Sequence, residues 1–279
     1  MEASFCKLAN QDFFSFVDSI ESNSIDLIVT SPPYAQQRKN HYDSIPEYKY
    51  PSWSVAWMDK CKRILKKTGS VAMVIRTNQR EGRISNYVIK TRIALHESGW
   101  MEPEELIWIK SGSAPVGSII RPRRSWENIL WFSRNSSIYC DTRANGSKSS
   151  RIGFEGKKGI DEKYINSINK KATHGISRSK DYFEVGTGSS DKSDYNYHPA
   201  QYPDGLSSWV IRMLCPLGGT VLDPFLGSGS TCVSAIRNGR NSIGSEIDPG
   251  YFQISLKRIE EIRSMYGYSL EIFDKYSEI

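Results

Sequence analysis

Ser31, Pro32, Pro33 and Tyr34 are the residues whose types and spacing point most directly to chemistry in this chain of 279 residues. They follow residues 25–30, an apolar and β-branched run that predicts a buried strand. Proline fixes its own φ, lacks an N–H and keeps the preceding residue extended, so the strand ends in a stiff corner. The corner offers a hydroxyl, backbone carbonyls and an aromatic ring. This set suits the binding of a flat ring through an exocyclic amine, and the alternative is a plain Pro-Pro turn.

A second group of residues lies far along the chain, in the glycine-containing loop 223–229. The loop falls between a predicted strand and a predicted helix, where glycines let the backbone approach a ligand and the helix offers free N–H groups. Gly227 and Gly229 fit the dinucleotide fingerprint GxGxxG, but Cys232 stands in its third position. This departure argues against a pyrophosphate and favours a cofactor that has an adenosine without phosphates.

Two acids accompany this loop. Glu246 ends the next predicted strand, 23 residues after Asp223. An acid in that place typically accepts hydrogen bonds from ribose hydroxyls. The alternatives are a charged strand end that faces water, for Glu246, and a capping acid of the following helix, for Asp223.

The elements that must position these residues alternate between strand and helix. Further buried strands are predicted at 71–75, 105–109, 128–132, 220–223 and 242–246. Helices are predicted at 53–65, 84–97, 206–214, 231–238 and 249–265, with Ser52 as the cap of the first and Asp248 as the cap of the last. This order predicts an α/β fold with a mostly parallel sheet and helices on both faces.

Charge is unevenly distributed along the chain. The formal net charge is +6, yet the stretch 134–180 alone holds 11 Lys and Arg against 4 acids. Residues 135–195 are rich in Ser, Gly, Asn and Lys, so we predict that they form an insertion into a domain made of residues 1–134 and 196–279. A basic insertion suits nucleic acid, and a solvated surface loop is the alternative.

Composition also bears on compartment and metal content. The five cysteines are scattered without CxxC spacing, and the four histidines form no metal pattern. We therefore predict a cytoplasmic protein without a disulfide framework or a metal site. No apolar run reaches the length of about 18 residues that a membrane span requires, so no membrane association is predicted.

Taken together, these motifs resemble those of the S-adenosylmethionine-dependent DNA amino-methyltransferases, which methylate N6 of adenine or N4 of cytosine. Residues 30–34 resemble the catalytic motif of that family, 223–231 its cofactor loop and 244–248 its ribose-binding strand end. The catalytic motif precedes the cofactor loop, with a candidate recognition segment between them. This permuted order is similar to that of the β group of the family.

The resemblance implies a Rossmann-like methyltransferase sheet with a small target-recognition region at 135–195, S-adenosylmethionine as cofactor and double-stranded DNA as substrate. The implied catalytic residues are Ser31, Pro32, Pro33 and Tyr34. The implied cofactor-binding residues are Asp12, Thr30, Asp223, Phe225, Gly227, Ser228, Gly229, Thr231 and Glu246. The basic residues expected to contact DNA phosphates are Arg121, Arg123, Arg124, Lys157, Lys158, Lys170 and Lys171.

The first residue of the catalytic motif bears on the target base. Ser31 occupies a position where family members with Ser mostly act on cytosine and those with Asp on adenine, so we predict N4-cytosine, with N6-adenine as the alternative. A cognate restriction endonuclease is an expected partner, and both a monomer and a homodimer remain open. Two other functions also remain open: methylation of a planar amide or amine in protein or RNA, and DNA binding without catalysis by a vestigial cofactor fold.

Overall fold

The computed structural model describes residues 4–35, 45–80, 82–111, 120–148, 176–186 and 203–274. The α-helices of these residues are α1 (Phe13–Phe16), α2 (Tyr50–Ile64), α3 (Tyr87–Glu97), α4 (Asp204–Leu214), α5 (Ser230–Arg237) and α6 (Pro249–Tyr266). The strands are β1 (Phe5–Asn10), β2 (Ile25–Thr30), β3 (Leu65–Ile75), β4 (Gln79–Arg80), β5 (Arg83–Ile84), β6 (Glu105–Ser111), β7 (Trp126–Ser133), β8 (Tyr182–Gly186), β9 (Thr220–Asp223), β10 (Asn241–Ser245) and β11 (Ser269–Asp274).

One nine-stranded sheet organises the described residues, in the order β11-β1-β10-β9-β2-β3-β7-β6-β8. Only β7 runs against the others, because it pairs antiparallel with both β3 and β6, whereas every other neighbouring pair is parallel. Strands β4 and β5 form a separate hairpin just after β3. The predicted mostly parallel sheet is therefore confirmed.

Both faces of the sheet are covered, which explains why its central strands are largely apolar. All six residues of β2 are buried. Ile28 and its neighbours on one face pack against α1, α2 and α3, while Leu27 and Val29 on the other face pack against α4. Helix α6 covers β1 together with α5. Alternate residues of one strand thus serve opposite layers of the core, as expected for a parallel sheet with helices on both faces.

The first predicted helix begins earlier than expected. Helix α2 starts at Tyr50, with Lys49 at the N-cap position and Pro51 in the first turn. Ser52 lies inside the helix, where its hydroxyl donates to the carbonyl of Lys49 at 2.9 Å, so its prediction as the cap was wrong. Proline is favoured in a first helical turn because the missing N–H would have no partner there.

Three strands of the main sheet were not predicted, namely β1, β8 and β11. Strand β8 lies inside the segment 135–195 and extends the main sheet by pairing in parallel with β6. The division of the chain into a catalytic domain and an inserted recognition region stays a prediction, and most of that segment lies outside the described residues. In the part of the chain that the structure describes, no helix has the length and apolar character of a membrane span.

Candidate active site

The two motifs that are far apart in sequence meet at the carboxyl ends of two neighbouring strands. Strands β2 and β9 pair in parallel, with Leu27 opposite Val221. At their ends the hydroxyl of Thr30 donates to Oδ1 of Asp223 at 2.6 Å. The stiff corner that begins at Ser31 therefore lies beside the glycine loop. In open α/β sheets, ligands bind at this edge.

Asp223 cross-links three elements from a fully buried position. Its side chain accepts hydrogen bonds from Thr30 on β2, from Thr231 on α5 at 2.6 Å, and from the backbone N–H of Phe225 at 3.1 Å. Burial raises the pKa of Asp223 to about 6, and the hydrogen bonds from the two threonines and from Phe225 oppose that rise. The N-cap residue of α5 is Gly229, not Asp223. Asp223 instead fixes the loop against β2.

The loop depends on two glycines in left-handed backbone conformations. Gly227 has φ +54° and Gly229 has φ +83°, a region that side chains disfavour. A Cβ added at Gly229 would also lie 3.0 Å from the Cβ of Ser255 on α6. The loop is therefore packed closely against α6, and its two glycines leave the backbone without side chains at the N-terminus of α5.

Glu246 lies directly after β10 and holds the other side of the loop. One carboxylate oxygen accepts from the N–H of Gly227 at 2.7 Å, and the other from the N–H of Asp248 at 2.9 Å. Burial raises the pKa of Glu246 while these two bonds oppose the rise. Each oxygen keeps a second lone pair, so the side chain can still accept hydrogen bonds from a ligand's hydroxyls. Asn10 of β1 adds a bond from its amide to the Glu246 carbonyl at 2.8 Å.

An aromatic cluster supports the start of the loop. The ring of Phe225 lies 5.4 Å from Trp53, 5.5 Å from Trp57 and 6.3 Å from Phe13, measured between ring centroids. Asp12 precedes this cluster and caps α1 by accepting from the N–H of Phe14 at 2.9 Å. The predicted contact of Asp12 with a cofactor stays a prediction.

A buried arginine ties the loop to the helices behind it. Arg258 of α6 donates to the carbonyl of Ser228 at 2.7 Å and to the hydroxyl of Ser230 at 3.1 Å. Its other terminal nitrogen lies 3.1 Å from a carboxylate oxygen of Asp204, the first residue of α4. Asp204 also pairs with the more exposed Arg237 at 3.3 Å. Arg258 lies mid-helix without a motif, so it was not predicted as a site residue.

The proline corner is held through Tyr34. The Ser31 hydroxyl donates to the Tyr34 hydroxyl oxygen at 3.4 Å, and the Tyr34 hydroxyl donates to Glu127 at 2.9 Å. Asn78 fixes the next residue by donating to the carbonyl of Ala35 at 2.7 Å. Burial, followed by the negative charge of Glu127, raises the pKa of Tyr34 well above its ordinary value.

Glu127 was missed by the sequence analysis. It lies near the start of β7 with its side chain 4% exposed, and it forms ion pairs with Lys110 of β6 and, at 3.7 Å, with Arg76 after β3. In the sequence it is a lone acid before an apolar strand, a pattern that indicates a surface position. Only the pairing of β3, β7 and β6 brings these charges to the proline corner.

Two of the three arginines predicted to bind DNA phosphates contact the segment that follows β3. Arg124 donates to the carbonyl of Thr77, and Arg121 donates to the carbonyl of Gly82 at 2.6 Å. Arg123 is exposed. Phosphate binding by the three stays a prediction. The four lysines of the same prediction, Lys157, Lys158, Lys170 and Lys171, lie outside the described residues.

Comparison with known proteins identifies the class to which this fold and site belong. The sequence model of the DNA methylase family N6_N4_Mtase matches residues 25–257. Because that match covers most of the chain, the protein belongs to the N6/N4 DNA methylase family. It is a DNA methyltransferase, and the expected family resemblance is confirmed.

Particular relatives span nearly the whole chain. Type II methyltransferase M.ScaI of Streptomyces caespitosus is 28% identical over 272 residues, which cover 95% of this chain and 85% of the relative. Type II methyltransferase M.PvuII of Proteus hauseri is 26% identical over 280 residues, covering 88% of this chain and 81% of the relative.

Solved structures show the same fold. The PvuII DNA methyltransferase, described as cytosine-N4-specific, superposes with a TM-score of 0.70 at 22% identity and covers 96% of this chain and 97% of that one. A DNA modification methylase of Thermus thermophilus, in complex with S-adenosyl-L-methionine, gives a TM-score of 0.62 at 21% identity and covers 98% of this chain and 99% of that one. The predicted Rossmann-like methyltransferase fold is confirmed.

Proposed function

We propose that this DNA methyltransferase transfers a methyl group from S-adenosylmethionine to N4 of a cytosine that is flipped out of duplex DNA. The observation that carries the proposal is the hydrogen bond between Thr30 and Asp223. This bond places the strand tip that begins at Ser31 next to the glycine loop, so an amine held at one lies near a cofactor held at the other. In the proposed role the protein is cytoplasmic and modifies one specific sequence.

The chain's residues fit the cofactor. The bare backbone of the bend at Gly227 and Gly229 allows close approach at the N-terminus of α5. Glu246, with a free lone pair on each oxygen, suits the ribose hydroxyls of an adenosine group. When bound, S-adenosylmethionine supplies an electrophilic methyl group on a sulfonium.

The proline corner activates the amine in this mechanism. The lone pair of an exocyclic amine is delocalised into its ring, which makes the nitrogen a poor nucleophile. Ser31 Oγ and the carbonyl of Pro32 each accept one N–H and draw the nitrogen toward a tetrahedral shape. The lone pair then points toward the glycine loop. The nitrogen would form its bond to the methyl carbon as the carbon–sulfur bond breaks, so that the sulfur leaves as a neutral thioether and the methylated amine releases its extra proton to water. Positioning is the main source of acceleration.

Tyr34 receives the flipped base. Extrusion from the duplex costs a few kcal/mol of unstacking. Stacking on the aromatic ring returns roughly 1–3 kcal/mol of that cost. Since the Tyr34 hydroxyl is bound to Glu127, the ring is held in one orientation without depending on the base.

Ser31 and the PvuII relative favour cytosine over adenine. The solved PvuII structure is described as cytosine-N4-specific, and it shares the fold with this chain at a TM-score of 0.70. N6-adenine is the alternative target, because both amines offer two N–H groups to the same acceptors. The names of the type II relatives favour a role in restriction and modification, with a cognate endonuclease as partner.

A labelling experiment tests the proposal. The protein is incubated with tritiated S-adenosylmethionine and mixed-sequence duplex DNA, and the DNA is then digested to nucleosides for mass spectrometry. We expect N4-methylcytosine. N6-methyladenine would keep the mechanism and overturn the target base.

Parallel incubations with RNA and with protein substrates distinguish the other functions. Label found only in RNA or protein would overturn the choice of DNA as substrate. DNA binding without any transfer of label would favour a vestigial cofactor fold.

A further inference from the structure

Three polar groups form a chain that leads away from the proposed reaction centre. Ser31 Oγ lies 3.4 Å from the Tyr34 hydroxyl oxygen, and that oxygen lies 2.9 Å from Oε2 of Glu127. The 3.4 Å bond between Ser31 and Tyr34, which is nearer to the proposed target amine, is weak. The 2.9 Å bond between Tyr34 and Glu127 is of ordinary strength. Glu127 therefore determines the direction in which the hydroxyl hydrogens along these three groups point.

Glu127 is placed so that it accepts hydrogen bonds and donates none. An ionised carboxylate is an acceptor only. Lys110 donates to Oε1 of Glu127 and is itself only 14% exposed, while Arg76 lies 3.7 Å from the same oxygen. Lys and Arg side chains have donors and no acceptor, so Oε1 of Glu127 accepts from these partners and donates to neither.

An acceptor at this end determines where each hydroxyl hydrogen points. Tyr34 has one hydroxyl hydrogen, which goes to Glu127, so its oxygen is left to accept from Ser31. Ser31 also has one hydrogen, and directing it toward Tyr34 leaves the lone pairs of Ser31 Oγ free for an incoming amine N–H. With the opposite direction, the Ser31 hydrogen would face the amine hydrogens.

We propose that Glu127 is a positioning residue that acts through Tyr34 to hold Ser31 as a hydrogen-bond acceptor toward the target amine. This inference rests on the proposed function, since it assigns a role within the same site. Lys110 supports the role by neutralising the buried carboxylate. Glu127 itself touches neither the amine nor the cofactor in this account.

Kinetics of matched variants test the proposal. Glu127→Gln keeps the shape of the side chain but adds an N–H donor, which reverses the direction of the hydrogen bonds. Tyr34→Phe keeps the ring but removes the hydroxyl that links Ser31 to Glu127. Each is expected to lower kcat roughly tenfold to a hundredfold, with the KM for S-adenosylmethionine unchanged. Because both act through one chain, the double variant is expected to be no slower than the slower single variant. Effects that multiply, or an unchanged kcat in Tyr34→Phe, would overturn the proposal.

Glu102→Gln serves as the control. Glu102 has a side chain that is 5% exposed and pairs with Arg92, so the variant also disturbs an ion pair whose carboxylate is buried. It lies before β6, at the opposite end of that strand from Lys110. Its kcat is expected to equal that of the wild type. A loss of kcat equal to that of Glu127→Gln would mean that disturbing any buried ion pair is enough, and would overturn the specific role.

A spectroscopic measurement gives a readout that does not depend on methyl transfer. Fluorotyrosine at position 34 reports on the hydroxyl through its ¹⁹F chemical shift. We expect Glu127→Gln to move this resonance and Glu102→Gln to leave it unchanged. An unmoved resonance in Glu127→Gln overturns the inference even if the wild type methylates DNA. If the wild type methylates nothing, the proposed function fails, and the resonance still decides whether Glu127 orients Tyr34.

Discussion

At the scale of single residues, the site depends on polar groups that are buried but fully engaged. Asp223 is the clearest example, because two threonine hydroxyls and one backbone N–H surround its carboxylate. Such a group adds specificity to the packing of β2 against the loop, at the cost of placing a charge in the core.

The raised pKa of Asp223 predicts a pH dependence of stability. A carboxyl whose pKa is about 6 in the folded protein and 3.8 when unfolded holds its proton more tightly when folded. Its contribution is therefore most favourable below about pH 4 and is lost as the pH rises through 6, by roughly 3 kcal/mol in total. Urea unfolding of the wild type and of Asp223→Asn from pH 4 to 8 measures this effect as the difference between the two curves. Parallel curves would show that Asp223 does not titrate in this range.

The Tyr34→Ala variant is expected to separate cofactor binding from turnover. Removing the ring leaves the glycine loop and Glu246 intact, so S-adenosylmethionine binding measured by calorimetry is expected to be unchanged. Methyl transfer is expected to fall by roughly 5-fold to 150-fold, since a stacked base is worth roughly 1–3 kcal/mol. Tyr266→Ala, at the far end of α6, is the control and is expected to leave both quantities unchanged. Loss of cofactor binding by a folded Tyr34→Ala would place the ring in the cofactor site instead.

The residues identified from the sequence were those with a local signal. Ser31 and Gly229 were found because prolines restrict the backbone around them and glycines permit conformations that other residues disfavour, and both signals are local in the sequence. Glu127 and Arg258 have no such signal. Their roles arise from contacts across the sheet and between helices, and those contacts require the three-dimensional structure.

At the scale of elements, the glycine loop is positioned by helices α4, α5 and α6 as much as by its own strand. Arg258 connects all three, because it bonds to Ser228 and Ser230 at the start of α5 and to Asp204 of α4. The N-terminus of α5 and the loop before it are therefore tied to α6 by hydrogen bonds.

Arg258→Met is expected to weaken both the fold and the cofactor site. It removes a buried partner of Asp204 and leaves the Ser228 carbonyl without its donor, at a cost of about 3 kcal/mol in unfolding free energy. The Kd for S-adenosylmethionine is expected to rise about tenfold, because one lost hydrogen bond to the loop is worth about 1 kcal/mol or more. Urea unfolding and calorimetry measure the two effects.

Arg237→Met is the matched control, since Arg237 pairs with the same Asp204 but is 42% exposed. Exposed ion pairs contribute about 1 kcal/mol or less, so little change in either quantity is expected, within that amount. Equal losses in the two variants would show that the charge of Asp204, and not the loop contact of Arg258, matters.

Elements were predictable where burial leaves a simple pattern. Strands β2, β3 and β9 are largely apolar and β-branched because both of their faces are covered. Strand β11 lies at the edge of the sheet, and the polar–apolar alternation of its first four residues is a strand signal that was not recognised in the sequence. Strand β8, at the other edge, is short and sits in a polar region, which explains why it was missed.

At the scale of the whole molecule, charge is the property most relevant to a DNA substrate. The chain carries a formal net charge of +6, with a concentration of lysine and arginine in residues 134–180. If this segment contacts the DNA backbone, binding must weaken steeply with salt, because each neutralised phosphate releases counterions.

Replacing Lys157, Lys158, Lys170 and Lys171 together by Ala tests this expectation. The slope of log K against log salt concentration is expected to become shallower by as much as about 3 to 4, at about 0.9 per phosphate contact. Fluorescence anisotropy with a duplex at several salt concentrations measures the slope, and cofactor affinity is expected to stay constant. The control replaces four exposed lysines elsewhere, Lys60, Lys67, Lys90 and Lys257, with the same change of net charge. Equal slopes in the two variants would assign the effect to overall charge alone.

The pairing of β2 with β9 has a consequence for how the protein is made. Thr30 and Asp223 are 193 residues apart, so a ribosome adding about 5–20 residues per second takes roughly 10 to 40 s between them. Throughout that interval the nascent chain presents β2, a strand buried along its whole length in the finished protein, without the neighbour that will cover its edge. The unpaired N–H and C=O groups of such an edge can pair with strands of other chains. Production of this enzyme should therefore benefit from slower expression at low temperature and from chaperones that shield nascent strands, and catalytic competence should appear only after β9 has been made.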